Sequence, residues 1–341
     1  ERKVRLQEAL DVINQGVALG PENSTVHAIR AFVLDWNANP VLAGDQSEAL
    51  LLEAEQEATT ALQLDNQNTL ALAFFAEILN DQSKWLTAEE YIQQAVQLDP
   101  GLMDVHRIYA VIRETLQDYE GAIEEYKLAA EIMPNYTYLY LAIGVTYRSI
   151  GNKQVTDAAA LPYFETALEY FGKAVTINER LGVHDPAPYL AIGKTYSQMG
   201  EFFAAALNVK KTLELNPNNP EIYGTLGVIY FKARNYETSI EVLKCAVEGC
   251  TAEESCAITE CNTETDHPQA IAPLELNYNT VVYYYTYGSV LAGMHQPGRP
   301  YCEQAVNVLA KIRNAYNADT TIMAIIEPSI EICASFGYET P

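Results

Sequence analysis

Tyr189-Leu190-Ala191-Ile192-Gly193-Lys194-Thr195-Tyr196, continued by Gly200, Ala205, Val209 and Pro217, is the stretch whose reading decides the fold. The same order of large and small residues returns 34 positions later as Tyr223, Leu226-Gly227, Tyr230, Ser239, Leu243 and Ala246. Leu72, His106 and Tyr140 mark the same 34-residue interval further upstream. An interval of this length holds two helices of about a dozen residues each. Small residues belong where such helices cross closely, which assigns Gly144, Gly193, Gly227 and Gly288 to crossings. One helix pair cannot bury its apolar face alone, so successive pairs must stack on one another.

The aromatic, the Leu-Gly step, the Tyr, the Ala and the closing Pro resemble the tetratricopeptide repeat, whose period is 34 residues. The resemblance covers nearly the whole chain. It implies an all-α fold, a right-handed superhelical solenoid of about seven helix pairs, with an N-terminal half repeat and a C-terminal capping helix. It also implies that function resides on the concave groove lined by the first helix of each repeat.

The register predicts a solenoid over residues 1–251, a Cys-rich insertion over 252–273, a seventh repeat over 274–317, and a capping helix and tail over 318–341. Residues 1–20 carry only a second helix, with Ala9 and Ile13 in its slots and Pro21 closing the unit. Six repeats follow. His27 to Leu72 is 11 residues too long, and the Asn-Pro and Gly-Asp pairs within Asn37–Ser47 read as a loop. The fourth repeat, Tyr140 to Tyr189, is 15 residues too long. That excess divides between a loop or extended helix near Asn152–Pro162 and a turn at Gly182–Pro188.

Composition narrows the function. With 45 acidic and 21 basic residues the chain carries a formal net charge of −24, which repels phosphate backbones and argues against nucleic acid as a partner. No uninterrupted apolar run approaches the ~20 residues that cross a bilayer, so no membrane span is expected. The six cysteines all follow residue 244: Cys245, Cys250, Cys256 and Cys261 crowd the insertion, and Cys302 and Cys333 follow. An even number in a segment poor in apolar residues points to disulfides, with three connectivities open to the first four and a third bridge between Cys302 and Cys333. The gaps do not match the Cys-x2-Cys pairs of zinc sites. Disulfides place the protein outside the reducing cytosol, secreted or at the cell surface, with an export signal or anchor expected ahead of Glu1.

Catalytic chemistry is not indicated. The five histidines form no His-Glu-x-x-His pair, and His27 and His106 fall in the opening aromatic slot of their repeats, where packing is the ordinary role. Phosphate cradles, nucleophile elbows and dinucleotide fingerprints are absent from the sequence. The acidic run at 260–266 lacks EF-hand spacing. No enzyme activity, metal or cofactor is expected.

The register places Arg107, Tyr138, Leu141, Val145, Arg148, Leu190, Lys194, Phe231 and Tyr285 on the groove, mostly apolar and aromatic, with Arg107, Arg148 and Lys194 as anchors for a partner segment. The Lys and Asn positions of carboxylate-clamping repeats are occupied instead by residues such as Val111 and Val228. Tyrosine, at 23 copies, exceeds what the repeats require, above all in Tyr283–Tyr287, and the surplus suits an interface. Two functions follow. One is a protein–protein interaction scaffold whose groove holds a segment of a partner. The other is a structural subunit that binds copies of itself head to tail into an extracellular filament or ring, since a half repeat leaves an apolar face open.

Overall fold

The computed structural model describes residues 2–262 and 268–339, and the described residues form α-helices packed in sequence-adjacent pairs. Two compact units make up the chain, Glu1–Ile177 and Asn178–Pro341. The first contains α1 (Arg2–Leu19), α2 (Ser24–Asn37), α3 (Pro40–Ala43), α4 (Ser47–Leu64), α5 (Thr69–Asp81), α6 (Trp85–Leu98), α7 (Met103–Thr115), α8 (Tyr119–Ile132), α9 (Thr137–Asn152) and all but the last four residues of α10 (Asp157–Leu181). The second contains α11 (Ala187–Gln198), α12 (Phe202–Leu215), α13 (Pro220–Lys232), α14 (Tyr236–Val247), α15 (Ala252–Thr259), α16 (Val281–Gly293), α17 (Cys302–Tyr316) and α18 (Thr320–Ser335). The pairs α5/α6, α7/α8, α11/α12 and α13/α14 each occupy one 34-residue interval, and short turns make their members antiparallel neighbours.

The turns themselves repeat. Ser83 and Gln117, 34 residues apart, have φ of 63° and 64°, and Gly200 and Arg234, again 34 apart, have φ of 80° and 60°. After each of these left-handed residues the next amide donates back to the carbonyl five residues earlier: Lys84 to Leu79, Asp118 to Arg113, Glu201 to Tyr196 and Asn235 to Tyr230, at 2.8–2.9 Å. This is the Schellman closure of a helix, and it recruits carbonyls that the first helix would otherwise leave unpaired. Only Gly200 adopts the conformation without a Cβ penalty.

The opening slot of each repeat has an equally regular task. The hydroxyls of Tyr140 and Tyr223 donate to the carbonyls of Pro134 and Pro217 at 3.1 and 3.0 Å. His106 fills the slot in the same manner, with Nε2 2.8 Å from the Pro100 carbonyl, and His27 places Nε2 3.0 Å from that of Pro21. Each histidine also holds a carboxylate on Nδ1, Glu125 for His106 and Glu57 for His27, both at 2.7 Å. Accepting from His106, Glu125 raises the imidazole above its ordinary 6.5.

Close helix crossings explain the glycines. A Cβ on Gly227 would lie 2.5 Å from Leu243 Cγ and 3.1 Å from the Leu243 amide nitrogen, so α13 and α14 touch through the missing side chain. Gly227→Ala is therefore expected to cost about 1–3 kcal/mol by overpacking, despite alanine's better helix propensity. Gly172, inside α10 with nothing within 4 Å of a built Cβ, is the matched control, and Gly172→Ala is expected to gain about 0.5–1 kcal/mol. Urea unfolding of both variants checks the register, and equal shifts of the same sign would refute it.

One insertion differs from expectation, and the other takes one of the two forms expected of it. Residues 37–47, read as a loop, contain the helix α3 and a 3-10 turn over Gly44–Gln46. Asn39 caps α3 by accepting from the Val41 amide, and Pro40 stands at its first position, where a missing N–H costs nothing. The excess of the fourth repeat follows the extended-helix reading, since α10 runs 25 residues and passes through Pro162, and residues 182–186 form the expected turn before α11. The tyrosine surplus is also partly absorbed by packing. Tyr284 and Tyr287 are buried, the Tyr284 hydroxyl donates to the Leu274 carbonyl, and the Tyr283 ring fills the space over Gly224. A tyrosine inside a repeat core needs one acceptor for its hydroxyl, and the extended segment before α16 supplies it.

All six cysteines are paired, Cys245 with Cys250, Cys256 with Cys261, and Cys302 with Cys333. The insertion is tied down by a bridge pair between Cys250 and Ile271, by the Leu274 amide donating to the Ala246 carbonyl, and by a capping box in which Thr251 and Glu254 satisfy each other's backbone at the start of α15. Residues 263–267, part of the acidic run, lie outside the described residues.

Candidate functional site: the first-helix face

In the first unit the face carried by α2, α5, α7 and α9 joins aromatic, apolar and acidic groups. Phe32 of α2 stacks on Phe74 of α5 at 4.5 Å between ring centroids, and the Arg107 guanidinium lies 5.8 Å from the Phe32 ring. Arg107 is 3% exposed. Its Nη1 and Nη2 donate to the two carboxylate oxygens of Glu77 at 2.8 and 2.9 Å, and its Nε donates to Asp104 at 3.0 Å. A planar guanidinium meets a carboxylate bidentately in this way, and the pair holds α5 to α7. The two acids keep Arg107 charged far above its ordinary range.

Beyond Arg107 the face continues into α9. Tyr136 and Tyr138 stack at 5.7 Å, and burial raises both phenols while the charge of Arg107 opposes the rise. Tyr138 and Val145 remain 38% exposed, and Leu141 lies between them, half-buried. Arg148, half-buried, holds its guanidinium 5.8 Å from the Phe171 ring, and burial lowers its pKa. Behind the face Glu114 accepts from the Thr146 and Tyr126 hydroxyls.

Toward α2 the face sinks into a recess of about 460 Å³ that includes Asp35, Trp36, Glu77, Asn80 and Asp81. Burial pushes the Asp35 carboxyl up to about 9, with the neighbouring charges of Glu77 and Asp81 adding to the rise and Arg107 opposing it. Asp81 is raised for the same first reason, burial.

The structure therefore brings Arg107, Tyr138, Leu141, Val145 and Arg148 onto one unit, with Arg107 committed to internal carboxylates. Leu190, Lys194, Phe231 and Tyr285 belong to the second unit. There Leu190, Phe231 and Tyr285 are half-buried against its core, Phe231 packs on Tyr236 at 5.8 Å, and Lys194 is exposed. Sequence reasoning missed Phe32, Asp35, Glu77, Asn80 and Asp81. One signal was available, because Glu77 interrupts an otherwise apolar run from Leu70 to Leu79 apart from itself.

Among the described residues no group of three His, Cys, Asp or Glu side chains is placed to hold a metal, and no helix is long and apolar enough to cross a membrane. Paired helices on a 34-residue period with a mixed apolar and acidic first-helix face define a repeat-built interaction scaffold. Two models described as tetratricopeptide repeat match the chain, at residues 70–137 and 209–241. The chain is a tetratricopeptide-repeat protein. Over 130 residues it is 27% identical to the BBSome complex member BBS4 of Bos taurus, a match covering 37% of this chain and 22% of the relative, so the chain spans about a fifth of that relative's length. Among solved structures it resembles a tetratricopeptide repeat protein from Parabacteroides merdae, with TM-score 0.53, 14% identity, and 85% of this chain and 96% of the other covered. It also resembles the human IFIT1 dimer with m7Gppp-AAAA, with TM-score 0.66, 14% identity, and coverages of 96% and 68%. At this identity the two structures share the fold alone.

Proposed function

We propose that this chain is a non-enzymatic, extracytoplasmic scaffold that holds a segment of another protein on the first-helix face of α2, α5, α7 and α9. The observation that carries the reading is the row of Tyr138, Leu141 and Val145, apolar and partly exposed beside buried charge, which suits a helix or extended segment with apolar anchors. The net charge of −24 favours a basic protein partner and disfavours nucleic acid. Pairing of all six cysteines supports a location outside the reducing cytosol. The groove of the second unit, with Leu190, Lys194, Phe231 and Tyr285, serves the same role in this reading.

A photo-crosslinker at position 145, compared with one at the exposed Leu128 of α8, tests the face. Expected is a crosslink to a defined protein segment from position 145, reduced at least tenfold by Tyr138→Ala with unchanged helicity. Equal yields from both positions would defeat the reading. Crosslinks solely to other copies of the chain would favour the second reading, self-assembly. In that reading copies meet through apolar side chains exposed on α1, Val4, Val12 and Leu19, and on α18, Ile325 and Ile332. Light scattering over a concentration series separates a monomer from a growing polymer.

A further inference from the structure

The recess on the first unit contains an unmet demand for hydrogen-bond donors. Asp35 is 5% exposed and Asn80 is 9% exposed, and Oδ1 of each has no hydrogen-bond partner. Both residues line the recess; the Asn80 atom is an acceptor, and the Asp35 atom is one whenever its carboxyl is ionised. A buried acceptor without a donor costs on the order of 1–3 kcal/mol, so a ligand that supplies donors recovers it. The surrounding charge points to the kind of donor. Glu77 and Asp81 come from α5, Arg107 from α7 has Nη1, Nη2 and Nε engaged by Glu77 and Asp104, and α4 brings Ser47 and Leu51, which are uncharged. The excess is negative. A metal would need several oxygen ligands converging on it, and no such group exists among the described residues. A primary ammonium offers three N–H donors and no acceptor, on an aliphatic stem that Trp36, Pro40 and Leu51 of the recess wall can cover.

We propose that this recess is a subsite for a primary ammonium group, the lysine side chain of a protein segment bound on the adjoining face. The inference rests on the binding-face reading and gives it a chemical specificity: one lysine of the partner enters beside Asp35 and Asn80 while apolar residues lie along Tyr138 and Val145. With its carboxyl raised to about 9, Asp35 is protonated in the free protein at neutral pH. Entry of the ammonium favours the carboxylate, so binding releases a proton and tightens as pH rises toward 9.

The test uses the full chain, n-butylammonium as the probe, and the Asn80 side-chain amide and Trp36 indole N–H signals in nitrogen–proton spectra as the readout. Saturable shifts of both signals are expected, with affinity rising severalfold from pH 6 to pH 8. Asp35→Asn, which matches the protonated carboxyl in size, is expected to weaken binding at least tenfold and to abolish the pH dependence. Tetramethylammonium, equal in charge but without N–H groups, is expected to leave both signals unmoved. Equal shifts with tetramethylammonium, or an unchanged affinity in Asp35→Asn, would overturn the proposal. Spermidine binding more than tenfold tighter than n-butylammonium would also overturn it, assigning the recess to a free polyamine. The titration does not involve Tyr138 or Val145, so a silent titration with an intact crosslink removes the subsite alone. A positive titration with no crosslink removes the binding face and with it the lysine as the source.

Discussion

Arg107→Met is expected to destabilise the first unit by about 3–5 kcal/mol, the cost of leaving a buried carboxylate without its cation. Glu77 is 9% exposed and accepts both of its strong hydrogen bonds from Arg107. Its other ionisable neighbours, Asp35 and Asp81, are acids whose pKa values it already helps to raise. Methionine preserves much of the volume against Phe32 but provides no donor. The double variant Arg107→Met with Glu77→Leu removes both charges together, and is expected to return to within about 1–2 kcal/mol of the parent or above it, since an apolar pair matches a buried ion pair in many folds. Both tryptophans of the chain, Trp36 and Trp85, lie in the first unit, so their fluorescence in urea follows this unit directly. A loss below 1 kcal/mol in the single variant would mean that water reaches the pair and that the face is not held in the described arrangement.

Removing the Cys302–Cys333 bridge with Cys302→Ala and Cys333→Ala is expected to cost about 3–4 kcal/mol, the loop-closure value for a separation of 31 residues. Removing Cys245–Cys250, with a separation of 5, is expected to cost about 2 kcal/mol, because a short loop restrains the unfolded chain less. The difference has a place in the fold. Cys302 opens α17 and Cys333 lies near the end of α18, both fully buried, so the bridge fastens α18 against the last helix pair. Hydrogen exchange of α18 amides with and without reductant is the measurement. Protection lost in α18 ahead of α13 and α14 is expected, and equal protection in both conditions would show that packing on α16 and α17 holds the helix without the bridge.

The architecture was legible because its information is local and repeats. The 34-residue interval in large and small residues places the helices. The same interval reappears in the left-handed turn residues and in the Pro carbonyl that accepts from Tyr140, Tyr223 or His106. The presence of bridges was legible in the crowding and even number of the cysteines. The Cys302–Cys333 bridge was also expected, but the pairing of the first four was not, because three connectivities satisfy the same four positions.

The face followed a different logic. Helical register brings Tyr138, Leu141, Val145 and Arg148 close together on α9, since residues three or four apart share a side. It cannot say whether a charged residue on that side meets solvent or a partner from another helix. Arg107 has the spacing of an anchor, yet Glu77, 30 positions earlier, takes its guanidinium inside. Asp35 is an ordinary acid in sequence, and becomes a neutral buried group because α5 and α7 surround it. Sequence by itself determined the helices, the pairs, the turns and the cysteine chemistry, all of which depend on neighbours along the chain. Tertiary structure alone decided which charges are neutralised within and which acceptors are left waiting for a donor, because desolvation depends on what the other helices bring.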